Sequence, residues 1–177
     1  MSRRANIVLT GFMATGKSAV GRIIADSIGY DFIDVDSLIE EETGVSVSKI
    51  FEVEGEASFR DRETEMIKRV SRMRKAVIST GGGAMIRPEN REMLKNTGIV
   101  ICLEATVEEI IKRAGKRESR PLINVDNPHE TVKRLLEDRK TFYNEADICI
   151  DTSGKPQKKI AGEIVSLWKE KRRTWSR

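Results

Sequence analysis

The stretch Gly11-Phe12-Met13-Ala14-Thr15-Gly16-Lys17-Ser18 follows the apolar run Ile7-Val8-Leu9 and precedes a helical pattern. The spacing G-x-x-x-x-G-K-[ST] in that setting requires a strand, a glycine-bounded loop and a helix whose first turn faces the loop. Amide hydrogens of such a loop converge on a phosphate chain, and the helix N-terminus adds partial positive charge. Lys17 is then placed to reach the outer phosphates and Ser18 to ligate Mg²⁺. The plainer alternative is an ordinary strand-turn-helix connection with no ligand.

A loop of this kind opens a parallel sheet. Strand-like runs at 6–10, 31–35, 76–80, 98–103 and 147–151 alternate with helical patterns. That alternation predicts a three-layer α/β/α fold around a central five-stranded parallel sheet. Helix starts are marked by Ser37 with Glu40, Thr106 with Glu109, and Asn127 with Pro128 and Glu130. Ligands of such sheets gather beyond the carboxyl ends of the strands. The segments there are Gly11–Ser18, Asp34–Asp36, Gly81–Gly83, Glu104–Thr106 and Asp151–Pro156.

At 177 residues and 38% hydrophobic content the chain is read as a single domain, 1–177. Its net charge of +4 resides in the tail 169–177, where five basic residues face one acidic residue. The rest is balanced, so the tail reads as a frayed, solvated helix end and no nucleic-acid face is expected. No apolar run reaches roughly 18 residues and no leader pattern is present, so neither a membrane nor a secreted location is expected. Cys102 and Cys149 lie in apolar runs and read as small hydrophobes in a reducing cytoplasm, not as a disulfide or metal site.

The second strand runs into Ile33-Asp34-Val35-Asp36, and residues two apart on a strand share a face. Both carboxylates are thus expected to face the phosphate loop, one serving a metal-bound water and the other accepting a proton from an attacking hydroxyl. A helix from Gly55 to Lys75 is suggested by Phe59, Met66, Val70 and Met73, with Arg60 and Glu63 one turn apart beside that stripe. An arginine held by a glutamate offers a fixed fork to a carboxylate; the alternative is a surface ion pair. Gly81-Gly82-Gly83 lets backbone amides approach a ligand, or simply makes a turn. The polar, basic segment 112–126 reads as a mobile flap able to close over polyphosphate, or as a solvated loop. The helix from Pro128 to Tyr143 is expected to bury Val132, Leu135, Leu136 and Phe142 and to offer Arg139 to the cleft, with His129 at the surface.

Taken together, G-x-x-x-x-G-K-S, D-V-D, F-R-D-R-E, G-G-G, R-P-L and R-x-x-x-Y resemble the shikimate kinases, of the nucleoside monophosphate kinase-like branch of phosphate-loop proteins, over nearly the whole chain. The resemblance implies ATP as donor, Mg²⁺ as cofactor, shikimate as acceptor and a monomer. It makes Lys17, Asp36 and Arg120 catalytic, Arg120 being the arginine of a lid at about 114–126. Nucleotide contacts fall on Gly11, Ala14, Thr15, Gly16, Lys17, Ser18, Ala19, Arg113, Arg120, Lys155 and Pro156, with the last two and Arg113 flanking adenine. Ser18 and Asp34 take the metal. Asp36, Arg60, Arg139 and Gly81 to Gly83 take shikimate, within a substrate region at about 34–63. Ala19 replaces a hydroxyl residue common in the family, which implies one lost contact to the α-phosphate and weaker nucleotide binding on the order of 1 kcal/mol.

A non-catalytic nucleotide-binding module is disfavoured by the intact Lys17, Ser18, Asp34, Asp36 and Arg120, and two other rival readings stand beside it. A kinase of the same branch acting on gluconate or a nucleotide shares the loop and lid but not the D-V-D, F-R-D-R-E and G-G-G set. A GTP-dependent switch finds a D-x-x-G match at Asp151-Thr152-Ser153-Gly154, but after the last strand and without an N-K-x-D.

Overall fold

The computed structural model describes residues 6–115 and 126–175. Its elements are β1 (Asn6–Thr10), α1 (Lys17–Ile28), β2 (Asp31–Asp34), α2 (Val35–Thr43), α3 (Val47–Val70), β3 (Ala76–Ser79), α4 (Pro88–Thr97), β4 (Gly98–Glu104), α5 (Val107–Ala114), α6 (Pro128–Tyr143), β5 (Ile148–Asp151) and α7 (Gln157–Trp175). The five strands form one all-parallel sheet in the order β2-β3-β1-β4-β5.

β1, β3 and most of β4 are buried on both faces, as a parallel sheet covered by helices requires. Ile7, Leu9, Ile99, Ile101 and Leu103 pack against Val20 and Ile24 of α1 and Ile160, Ile164 and Trp168 of α7. On the other face Val8, Ile78, Val100 and Cys102 meet Phe59, Met66 and Val70 of α3, Leu94 of α4, Ile110 of α5 and Val132 of α6. The expected three layers are therefore present. No helix among the described residues is long and apolar enough to cross a membrane.

Several local expectations are corrected. Asp34, not Ser37, caps α2: its Oδ1 accepts from the Ser37 amide, and the helix begins at Val35. A carboxylate caps better than a residue three positions later because it meets the first free amides of the turn. Asp36 is consequently in the first helical turn and not on the strand. Met73 lies past the end of α3 and is 42% exposed, outside the expected apolar stripe. Cys149 is exposed, although Cys102 is buried and both are free thiols. Leu135, Leu136 and Phe142 are only partly buried, while Tyr143 of the same helix is buried. Lys112 to Ala114 form the last turn of α5, so they are not flap. The basic tail is helical to Trp175 rather than frayed, with the Arg172 guanidinium 5.2 Å from the Trp168 ring.

Candidate active site

Gly11 leaves β1 at φ 125°, and a β-carbon there would collide with the Leu103 carbonyl. Glycine alone allows the turn and the close passage past β4. Ala14 holds a left-handed φ of 60°, a strained conformation for a residue with a β-carbon. Thr15 Oγ1 donates to the Phe12 carbonyl at 2.8 Å and braces the loop from within. α1 then starts behind Gly16 with no side-chain cap, which leaves its first amides free for an anion. Lys17 Nζ donates to the carbonyls of Gly11, at 2.9 Å, and Phe12, at 2.8 Å, inside the loop.

Beside the loop Ser18 Oγ donates to Asp34 Oδ2 at 2.6 Å, joining a hydroxyl and a carboxylate at the mouth of the cleft. Such hard oxygen donors suit Mg²⁺. Asp36 sits deeper. Its Oδ1 is buried without a hydrogen-bond partner. Burial, then the charges of Glu63 and Asp34, raise the Asp36 carboxyl from its ordinary 3.8 to about 7, against a smaller pull from Lys17.

Gly55 breaks the long α3 with a φ of 84°, so its two halves differ in direction. The second half carries Arg60, whose Nη1 meets Glu63 Oε2 at 2.7 Å and whose Nη2 meets Glu56 at 3.0 Å. Glu63 is wholly buried, with Oε1 unpartnered, so this is not the surface pair that spacing alone allows. Burial lifts the Glu63 carboxyl above its ordinary range despite Arg60, Arg87 and Arg139 nearby. Arg87 anchors the same half of the helix, bonding the Arg60 carbonyl and Thr64 at 3.1 Å each and Asp61 at 2.7 Å.

Two of the three glycines after β3 stand where a side chain would be crowded, while Gly82 has room for one. A β-carbon at Gly81 would stand 2.7 Å from Glu63 and 2.8 Å from Asp36, and one at Gly83 would strike the Arg60 guanidinium. Arg139 approaches from α6, its Nη1 3.5 Å from the Gly82 carbonyl and its guanidinium 5.4 Å from the Phe12 ring. Tyr143 donates to the same carbonyl at 2.5 Å. Two arginines, a glycine turn, and the unpartnered oxygens of Asp36 and Glu63 thus converge beyond the phosphate loop.

On the far side of the loop a cleft of about 270 Å³ is lined by Thr15, Gly16, Arg113, Lys155 and Pro156, among others. Arg113 is held there by Glu109 at 2.9 Å, the Thr152 hydroxyl at 3.0 Å and the Thr152 carbonyl at 2.9 Å. Ala19 lies in the first turn of α1. Arg120, with Pro121 and Leu122, lies outside the described residues, as does nearly all of the expected lid. His129 is exposed and pairs with Glu108. Thr152 and Glu109 were not expected as site residues, and Tyr143 was visible only as the last letter of R-x-x-x-Y.

Residues 13–169 match the model of the family described as shikimate kinase. The chain belongs to the shikimate kinase family. A shikimate kinase of Thermodesulfovibrio yellowstonii is 46% identical over 160 residues, 90% of this chain and 92% of that one. One of Geobacter metallireducens is also 46% identical, over 90% and 89% of the two chains. The solved shikimate kinase from Acinetobacter baumannii in complex with shikimate superposes with a TM-score of 0.89 at 38% identity, covering 94% of this chain and 93% of the other. The five-stranded parallel sheet flanked by helices is thus the fold of a shikimate kinase.

Proposed function

We propose that the protein transfers the γ-phosphate of ATP to the 3-hydroxyl of shikimate, giving shikimate 3-phosphate and ADP, a step toward chorismate and the aromatic amino acids. The observation that carries this reading is the convergence of Arg60 and Arg139 on Gly82-Gly83, next to the buried free oxygen of Asp36. That arrangement suits a small carboxylic acid bearing a hydroxyl. The kinship reported above supports the same acceptor.

Phosphoryl transfer needs alignment and charge neutralisation more than covalent chemistry. Lys17 exchanges its loop carbonyls for phosphate oxygens, and the free amides at the start of α1 hold the remaining charge. Ser18 and Asp34 are assigned to Mg²⁺, which when bound offsets charge on the phosphates. Arg60 and Arg139 grip the acceptor carboxylate, each charge-assisted bond contributing roughly 1.5–3 kcal/mol when shielded from water. Asp36, once ionised, accepts the proton leaving the attacking hydroxyl. Arg113, Lys155 and Pro156 are assigned to adenine and Arg120 to the transferring group. The two free cysteines suit a reducing, cytoplasmic setting.

An acceptor screen in a coupled ADP-release assay tests the proposal. Turnover with shikimate, and none with gluconate or nucleoside monophosphates, is the expected result. Phosphorylation of either of those with none of shikimate overturns it.

A further inference from the structure

Away from the two substrate pockets, the structure gathers one further set of ligating atoms. Cys102 of β4 and Cys149 of β5 stand directly opposite each other in the parallel register. Glu104 lies two residues beyond Cys102 and so shares its face of the sheet. The two thiol sulfurs and a Glu104 carboxylate oxygen all lie within 4.8 Å of one another. A tetrahedral zinc centre, with bonds of about 2.3 Å to sulfur and 2.0–2.2 Å to oxygen, holds its ligands roughly 3.5–3.8 Å apart. The two exposed side chains, Glu104 and Cys149, are the ones that must shift toward the buried Cys102 to close that difference. Cys102 closes the site from the core side, while Glu104 and Cys149 are exposed and leave an entry path. Neither sulfur is in a disulfide, and none of the three side chains is among the residues assigned above to phosphoryl transfer.

We propose that Cys102, Cys149 and Glu104 form a three-ligand site for a thiophilic divalent cation of the Zn²⁺ type, with water in the fourth position. Two sulfurs and one carboxylate favour zinc over magnesium, which separates this site from the all-oxygen pair Ser18 and Asp34. On binding, each thiol releases its proton to solvent, two sulfur–metal bonds form, and no electrons are transferred. The ion ties the end of β5 to β4 beside Thr152, whose amide and hydroxyl both donate to the Glu104 carbonyl, at 2.9 and 2.8 Å.

The test uses the full-length protein, stripped of metal, kept reduced with a phosphine and free of nucleotide, titrated with Co²⁺ as a spectroscopic stand-in for Zn²⁺. One equivalent is expected to produce an intense near-ultraviolet thiolate-to-cobalt band with tetrahedral visible bands, and Zn²⁺ is expected to displace it. Cys149→Ser, at an exposed position, loses the band while its metal-free thermal unfolding matches the parent. Glu104→Gln keeps the band and weakens binding by roughly tenfold or more. No thiolate band in the parent, or an undiminished band in Cys149→Ser, overturns the site. Unchanged affinity in Glu104→Gln overturns the three-ligand set. The thiolate band does not depend on whether the chain phosphorylates shikimate, so the two proposals fail separately.

Discussion

Asp36 is buried where its charge is unwelcome, and both its stability and its chemistry follow the same proton. Its ionised form is disfavoured in the fold, so the stability it lends is full below its ordinary 3.8 and is lost as pH rises through about 7. Asp36→Asn is therefore expected to be more stable than the parent by on the order of 3 kcal/mol at pH 8, with the difference vanishing near pH 4, as read by denaturant unfolding at both values. The same variant should lose turnover. In the parent, kcat/KM is expected to rise with pH through an ionisation near 7; a profile flat from pH 6 to 8 removes Asp36 as the base. Arg139 is assigned to binding instead. Arg139→Ala should raise the KM for shikimate by roughly 10- to 150-fold with little change for ATP, since one charge-assisted contact is lost. An unchanged KM in steady-state kinetics takes Arg139 out of the pocket.

At the level of elements, the acceptor site depends on how α3, α6 and the turn after β3 are held together. Tyr143 of α6 holds the Gly82 carbonyl and so braces the glycine turn against α6. Tyr143→Phe leaves that carbonyl with only the long Arg139 contact and is expected to cost about 1–2 kcal/mol of stability while raising the shikimate KM more than it lowers kcat. A rise in KM absent from both substrates would show the bond to be merely structural. Much of this was readable from the chain. The loop, the three glycines and the Arg60–Glu63 turn announce themselves by spacing within a few residues. What spacing hid is long-range: Tyr143 lies 61 residues from Gly82, and Thr152 39 residues from Arg113. The helix start at Val35 was also hidden, because a strand and a helical turn both tolerate D-V-D and the capping bond of Asp34 decides between them. Burial of Glu63 could not be told from a solvent-exposed pair for the same reason.

Over the whole molecule, the sheet order puts β1 between the strands whose ends carry the residues proposed for the two substrates. β3 and β2 on one side end at the residues proposed for the acceptor, and β4 and β5 on the other end at the cleft lined by Arg113, Lys155 and Pro156. Nucleotide and acceptor can therefore be bound from opposite sides of one loop. Saturating Mg-ATP at about a hundred times its Kd should stabilise the protein by roughly 2.7 kcal/mol, a Tm shift of about 5–10 °C for a domain of this size. GTP should give less, and Lys17→Ala should abolish most of the shift; an equal response to GTP would favour a different nucleotide pocket. Within the loop, the Lys17 ammonium group donates to the Gly11 and Phe12 carbonyls. An anion that binds there exchanges with these internal acceptors for the ammonium group. A ligand that brings several oxygens at once replaces them better than a small single ion does, so the exchange favours polyphosphate over lone phosphate or sulfate.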